Sequence, residues 1–293
     1  MNMLVRFSPE LSAWITHNLD RGCAAPDVVQ AMLAQDFDPN VATALVNAVV
    51  HARSSGLPPP EGEVEIEVEE PGYLYETPRL PAGPVIRTFD REVVVSLRLE
   101  RPALALLQSV LSPGECAEFI ELGRGRLRPS TVLDPMTGRD VVAGHRSSEG
   151  MFFLPQETPF VARIERRIAE LMNVPLRNGE GLQLLHYHPG AHSAPHFDFL
   201  IPSNPTNDAS LKRSGQRFST LMIYLSDVTQ GGETVFPKVG LSVSPRKGNA
   251  VYFEYANSRQ QLDARSLHAG APVIEGEKWA VTKWMRTRPF VAA

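Results

Sequence analysis

The stretch Pro195-His196-Phe197-Asp198-Phe199 decides how the rest of the chain is read. Side chains on an extended strand alternate between faces, so His196 and Asp198 project to the same side. An imidazole and a carboxylate one pleat apart can occupy two adjacent positions around a metal ion. A third imidazole from a neighbouring strand would complete a facial set of two histidines and one carboxylate with open positions, the donor set of non-haem Fe(II) centres. Spacing alone leaves that third donor open among His186, His188, His192 and His268. The tripeptide itself recurs by chance, so its weight rests on what surrounds it.

Beyond residue 180 the pattern is strand, turn, strand almost to the end. Segments 182–187, 217–225, 234–236, 241–244, 250–254 and 279–286 read as strands, punctuated by Pro189-Gly190, Gly231-Gly232 and Arg246-Lys247-Gly248. Helical signals come earlier. Ser112-Pro113-Gly114-Glu115 is a capping box with proline at the first helical position, and Thr158-Pro159 opens a second helix running to Met172. In that second helix Val161, Ile164, Ile168 and Leu171 share one face, and Arg163, Arg166 and Arg167 are expected in solvent on the other. The segment 202–215 reads as a long polar loop suited to a lid. Helices followed by closely spaced strands predict an α+β fold, a β-sandwich or jelly roll with helices packed on one sheet.

At 293 residues the chain suits one large domain or a medium domain with a small partner. A formal charge of -4 gives no electrostatic case for nucleic acid or an anionic membrane surface. Cys23 and Cys116 lack metal-ligand spacing and cannot build a disulfide framework. Neither a signal-peptide pattern nor an apolar run of the ~20 residues needed to span a bilayer is present, and a soluble cytoplasmic protein is expected.

Residues 1–56 predict a small three-helix module, opened in turn by Ser8-Pro9, Pro26-Asp27 and Asp38-Pro39. It resembles the ubiquitin-associated class of helical modules, which implies apolar surface offered to a protein partner; packing on the main domain or dimerisation is the plainer expectation. Residues 57–91, rich in proline and then in glutamate, predict an extended linker. Within it Val64, Ile66 and Val68 alternate with glutamates, as a short edge strand would. The remaining domain is 92–293.

Taken together, several motifs in one order resemble the prolyl 4-hydroxylases of the Fe(II)/2-oxoglutarate dioxygenases, in their bacterial form. They are Leu182-Gln183-Leu184-Leu185-His186-Tyr187-His188-Pro189-Gly190 and Pro195-His196-Phe197-Asp198-Phe199, then Arg217-Phe218-Ser219-Thr220-Leu221 and Tyr224-Leu225-Ser226-Asp227-Val228. Gly231-Gly232-Glu233-Thr234-Val235-Phe236-Pro237, His268-Ala269-Gly270 and Gly276-Glu277-Lys278-Trp279 with Thr282-Lys283-Trp284 complete the set. The likeness covers roughly residues 100–293. It implies a double-stranded β-helix, a jelly-roll variant, with iron at the mouth of the barrel.

By the same resemblance His196, Asp198 and His268 are the catalytic metal ligands, and Lys278 receives the distal carboxylate of 2-oxoglutarate. Tyr187 and Thr220 match positions that hydrogen-bond this cosubstrate. Thr282 lies two pleats from Lys278, so ammonium and hydroxyl can meet one carboxylate, whereas Lys283 falls on the opposite face and is expected in solvent. O2 is the second cosubstrate, and the family leaves room for ascorbate. Arg146, Trp284 and His192 are the candidate substrate-side residues. The implied reaction is hydroxylation of a C–H bond, foremost that of a prolyl residue in a peptide or protein, with release of succinate and CO2. One departure stands out: His192 and Ser193 occupy places where the family carries glutamine or glutamate and then tyrosine. That opens the alternatives of free proline, another residue or a small metabolite as substrate, and, further off, a non-catalytic adaptor.

Overall fold

The structure, a computed structural model, describes residues 2–35, 37–67, 73–130, 132–133, 140–141, 147–202 and 204–292. It divides into two compact units, Met1–Tyr73 and Leu74–Ala293.

In the first unit, strand β1 (Asn2–Phe7) precedes helices α1 (Pro9–Asp20), α2 (Ala25–Leu33) and α3 (Pro39–Ser54), and strand β2 (Gly62–Glu67) follows them. Local chemistry starts the helices. The Ser8 hydroxyl accepts the Leu11 amide at 3.2 Å, and the Asp38 carboxylate accepts that of Val41 at 3.1 Å. Phe7, Ile15, Val28, Met32, Leu45, Val46 and Val49 form the core of this unit. β1 and β2 pair antiparallel along their full length. The expected linker over 57–91 is therefore structured in part. Its period-two stretch satisfies its backbone groups by pairing with β1 instead of water, and Val85–Arg87 joins the sheet of the second unit.

The second unit runs β3 (Val85–Arg87), β4 (Glu92–Leu99), β5 (Leu104–Gln108), α4 (Pro113–Arg124), β6 (Arg128–Pro129), β7 (Val132–Leu133), β8 (Asp140–Val141), β9 (Glu149–Phe152) and α5 (Pro159–Leu171). There follow β10 (Gln183–Tyr187), β11 (Ser193–His196), α6 (Pro205–Ser214), β12 (Arg217–Tyr224), β13 (Gln230–Gly231), β14 (Thr234–Phe236) and β15 (Leu241–Val243). The last are β16 (Ala250–Glu254), β17 (His268–Gly270), β18 (Val273–Glu275) and β19 (Lys278–Arg286). Nine strands form an antiparallel sheet in the order β3-β4-β5-β16-β12-β19-β10-β9-β6, and four form a second, β11-β17-β14-β15.

Alternation sorts the large sheet's side chains. Leu221, Ile223, Tyr252 and Val281 pack with Phe119, Cys116, Ile164 and Ile168 of α4 and α5. On the other face Val251, Phe253 and Leu104 pack with Phe236 of the small sheet. The central strands are thus covered on both sides, and every residue of β19 is buried.

Double coverage overturns two expectations about exposed cations. Lys283 does lie opposite Lys278, but that face is roofed by α5. Its side chain is 1% exposed, and its ammonium meets Glu165 at 2.5 Å and the Glu180 carbonyl. Arg167, expected in solvent, is also 1% exposed. Its guanidinium donates to both oxygens of Asp90 at 2.9 and 2.6 Å, to both of Glu115 at 2.9 and 2.7 Å, and to the Val110 carbonyl at 3.0 Å. A planar fork with five donors can be buried when all of its hydrogen bonds are supplied. Glu115 serves twice, since it also closes the capping box by accepting the Ser112 amide at 2.8 Å. Burial pushes the Glu115 carboxyl up, but Arg167 and the Ser112 amide outweigh it and hold its pKa at about 2.

The segment 202–215 contains α6 instead of a loop. Asn204 caps it by accepting the Asn207 amide at 2.9 Å, Pro205 takes the first turn, and Gly215 closes it at φ 71°. Among the described residues no helix is long and apolar enough to cross a membrane.

Candidate active site

The small sheet builds the centre of the site. β11 and β17 pair so that His196 and His268 are direct cross-strand partners, with ring centroids 4.4 Å apart. Asp198, two residues beyond His196, turns to the same side. Each ring is oriented from behind: His196 Nδ1 lies 2.8 Å from the Ala194 carbonyl, and His268 Nδ1 lies 3.0 Å from the Ser266 carbonyl. A carbonyl only accepts, so both Nδ1 atoms carry the proton and both Nε2 atoms present lone pairs. Those lone pairs face the two carboxylate oxygens of Asp198 at 3.8 and 3.7 Å, beyond hydrogen-bond range. The three donors lie within 4.8 Å of one another. Lone pairs converging with no proton between them fit a divalent cation.

The electrostatics agree. Burial pulls the His268 pKa down to about 4, which keeps its imidazole neutral at physiological pH. Burial would raise the Asp198 carboxyl, but His268, His196 and the Thr220 hydroxyl outweigh it and hold it below the usual range. Thr220 donates to Asp198 Oδ2 at 2.6 Å and lies 3.1 Å from the Tyr255 hydroxyl. A threonine has one proton to give. The hydroxyl keeps its proton and points it at Asp198, where it orients the carboxylate, although the sequence resemblance points it at the cosubstrate.

His196, Asp198, His268 and Thr220 line a cavity of about 660 Å³, within the range of small-molecule sites. Lys278, Thr282 and Trp284 enter it from one face of β19, as alternation predicts. Lys278 is 3% exposed, and among the described residues its ammonium has no hydrogen-bond acceptor. It sits 5.3 Å from the Tyr187 ring and 5.7 Å from that of Tyr224. Tyr187 is its cross-strand partner in register. Burial pulls the Lys278 pKa down to about 8, with Glu233 acting weakly the other way. A buried cation with no hydrogen-bonded acceptor among the described residues, in a cavity that also holds a metal-type donor set, fits an anionic ligand.

The structure thus brings His196, Asp198, His268, Lys278, Tyr187, Thr220, Thr282 and Trp284 to one cavity. His192 is not among its lining residues; its backbone amide donates to the Ser147 hydroxyl at 3.0 Å. Arg146 lies outside the described residues. Two cavity residues escaped the sequence. Gln183 faces Thr282 in register and leaves its buried Oε1 without a partner among the described residues. Arg217 stacks on the Trp284 ring at 4.1 Å, pairs with Glu180 at 2.6 Å and reaches the Asp198 carbonyl at 3.4 Å. Alternation along β10 signals that Gln183 faces inward with Tyr187, whereas Arg217 stands at odd spacing from Thr220 and reaches the cavity through the register shift between Arg217 and Ser219.

Comparison with known proteins places this geometry in context. Residues 182–286 match the 2OG-Fe(II) oxygenase superfamily. The chain is similar to prolyl 4-hydroxylase 1 of Arabidopsis thaliana, 41% identical over 202 residues that cover 64% of this chain and 70% of that protein. It is similar to probable prolyl 4-hydroxylase 7 of the same plant, 37% identical over 210 residues, 66% of this chain and 65% of the relative. Among solved structures, the viral collagen prolyl hydroxylase of Paramecium Bursaria Chlorella virus-1 in its 2OG complex superposes with a TM-score of 0.50. That match is 29% identical and covers 62% of this chain and 95% of the viral one. These relatives are plant and viral, so the narrower expectation of a bacterial form draws nothing from them.

Proposed function

Since the chain belongs to the prolyl 4-hydroxylases of the 2-oxoglutarate- and Fe(II)-dependent oxygenase superfamily, we propose that it hydroxylates prolyl residues within a peptide or protein. The enzyme is a 2-oxoglutarate-dependent dioxygenase that takes Fe(II) as its metal. In our reading the two sheets form a double-stranded β-helix, with the cavity at its mouth.

His196 Nε2, His268 Nε2 and Asp198 would hold the iron. Bound iron would supply an anchor for the 2-oxo acid and the activation of O2 that a protein side chain cannot provide. Every other task falls to the chain. Lys278 neutralises the distal carboxylate of 2-oxoglutarate, with the Thr282 hydroxyl on the same face as a second donor. Tyr187, opposite Lys278 in register, closes that end of the cavity. Thr220 keeps Asp198 ionised and aimed, and Tyr255 backs Thr220. Arg217 and Trp284 brace the wall by which substrate enters, where Phe152 is 53% exposed. An apolar, aromatic mouth suits a pyrrolidine ring carried on an extended peptide.

The observation that carries this reading is the buried Lys278, whose ammonium has no hydrogen-bond acceptor among the described residues, in the cavity of the His196–Asp198–His268 cluster. The test is succinate release from Fe(II), 2-oxoglutarate and ascorbate, with and without proline-containing peptides. Strong stimulation by a peptide, lost when its proline is replaced by alanine, is expected. Turnover indifferent to proline would overturn the prolyl assignment. We further read the unit Met1–Tyr73 as a recruiting module: without it, short peptides should turn over normally and whole-protein substrates poorly.

A further inference from the structure

The strand that presents Tyr187 to the cavity carries a second constellation on its other side. We propose that Glu149, His186 and His188 form a separate site for a divalent transition cation such as Zn2+, with Glu277 as the carboxylate that orients His186.

The placement follows from pleat and register. Gln183, Leu185 and Tyr187 point into the cavity, so His186 points away from it, and His188 shares the side of His186. Antiparallel pairing sets Glu149 of β9 directly opposite His186, and Trp279 of β19 opposite on the other flank. Directly opposed residues have Cβ atoms only ~5 Å apart. Three metal-binding side chains therefore meet by backbone geometry, from two strands.

The tautomer of His186 is also set. Its Nε2 lies 3.0 Å from Glu277 Oε2. An ionised carboxylate only accepts, so this nitrogen carries the proton and Nδ1 keeps its lone pair. Trp279 locks the ring by stacking on it, 3.8 Å between centroids at 15°, and its own indole N–H lies 3.4 Å from the same Glu277 oxygen. The lone pair of Nδ1 faces Glu149 Oε2 at 3.9 Å, too far for a hydrogen bond and with no proton to make one. His188 Nε2 hydrogen-bonds that same oxygen at 3.4 Å, through a proton that a bound cation would displace, and the two rings are 4.1 Å apart. One donor atom from each of the three residues falls within 4.8 Å of the others.

A tetrahedral zinc with bonds of ~2.0–2.2 Å needs donors roughly 3.3–3.5 Å apart. Glu149 and His188 already meet at 3.4 Å, His186 Nδ1 stands 3.9 Å from Glu149, and the two residues that must close the remainder are the movable ones. Glu149 is 40% exposed and His188 53%, whereas His186, at 6%, is the fixed point. Two imidazoles and one carboxylate suit zinc and its neighbours over Mg2+ or Ca2+, which prefer all-oxygen sites. A carboxylate on the far ring nitrogen is the outer-sphere partner that metal-bound histidines ordinarily have. Exposure leaves the fourth position to water. Such a site would clamp β9 to β10 behind Tyr187.

The experiment counts zinc in a full-length variant whose first site is disabled, His196→Ala/Asp198→Ala, by calorimetry and by competition with a chromogenic chelator. One equivalent of Zn2+ should remain. Adding His188→Ala or Glu149→Gln should abolish it, and adding Glu277→Gln should weaken it by about 10–100-fold. Cobalt substituted for zinc should give visible bands of a tetrahedral centre that vanish with His188→Ala. His188 is half in solvent, so its variant should keep the metal-free melting temperature of the parent and lose only the zinc-induced rise. No remaining equivalent, or one indifferent to His188→Ala and Glu149→Gln, overturns the proposal.

Discussion

Replacing Lys278 by methionine removes the cavity's buried ammonium while keeping most of the side chain's volume. The consequence can be worked from its surroundings. The side chain is 3% exposed and its ammonium has no acceptor among the described residues, so no other group would replace it on an incoming carboxylate. Truncating one partner of a buried, hydrogen-bonded charge pair costs ~2–5 kcal/mol. At 1.4 kcal/mol per decade, the Kd for 2-oxoglutarate should rise about 30- to 4000-fold. Anaerobic titration calorimetry with Fe(II) measures this directly. A control ligand, 2-oxobutyrate, has the same 2-oxo acid end and no distal carboxylate. The wild type should prefer 2-oxoglutarate strongly, and Lys278→Met should erase that preference while leaving 2-oxobutyrate affinity within a few-fold. The pH dependence carries a sign. The Lys278 pKa is drawn from 10.5 down to about 8 by burial, so the free site loses its ammonium above pH 8. Affinity for 2-oxoglutarate should be flat below that point and fall by up to about tenfold per pH unit above it. The unfolded chain binds the extra proton between about 8 and 10.5, so this group's contribution to stability rises with pH across that window. A folded Lys278→Met protein that still discriminates 2-oxoglutarate from 2-oxobutyrate as the wild type does would refute this reasoning.

Thr220→Val should strip Asp198 of its 2.6 Å hydrogen bond and weaken metal binding by about 10–100-fold in a Co2+ titration, with Thr220→Ser restoring it. Lys283→Met leaves Glu165, its 1%-exposed partner, charged and without a cation, held only by the Gln156 amide at 2.7 Å, and should cost ~3–5 kcal/mol in urea unfolding. The double variant Lys283→Met/Glu165→Leu should recover much of that loss. Gly231→Ala forces an L-residue to φ 78° and points its Cβ at the Pro272 carbonyl oxygen, so stability should drop by more than ~1–2 kcal/mol. A loss under about 0.5 kcal/mol would show that the β13–β18 pair relaxes freely.

Much of this architecture is legible in the sequence because its signals are local. Ser8-Pro9, Ser112-Pro113-Gly114-Glu115 and Thr158-Pro159 each start a helix, since a cap needs only its next three residues. Alternation alone sorts Lys278, Thr282 and Trp284 onto one face of β19. What it cannot give is the cover on the other face. Lys283 was placed on the correct side of the strand and in the wrong medium, because α5 and Glu165 lie more than a hundred residues earlier. Arg167 misleads in the same way: its partners Asp90 and Glu115 come from a turn and a distant cap. The helix α6 was hidden among prolines and polar residues, although Asn204-Pro205 is a cap signal of the same kind as the others. The Glu149–His186–His188 cluster depends on strand register, which joins residues that no local window contains.

The central claim is that this chain uses Fe(II) and 2-oxoglutarate to place one atom of O2 on a prolyl carbon. The most direct measurement supplies isotopically heavy O2 with Fe(II), 2-oxoglutarate and a proline-containing peptide, and locates the label by tandem mass spectrometry. The account predicts one heavy oxygen on C4 of a prolyl residue and its partner atom in succinate, with neither product formed by Asp198→Ala. Peptide recovered unlabelled while succinate accumulates normally would contradict it.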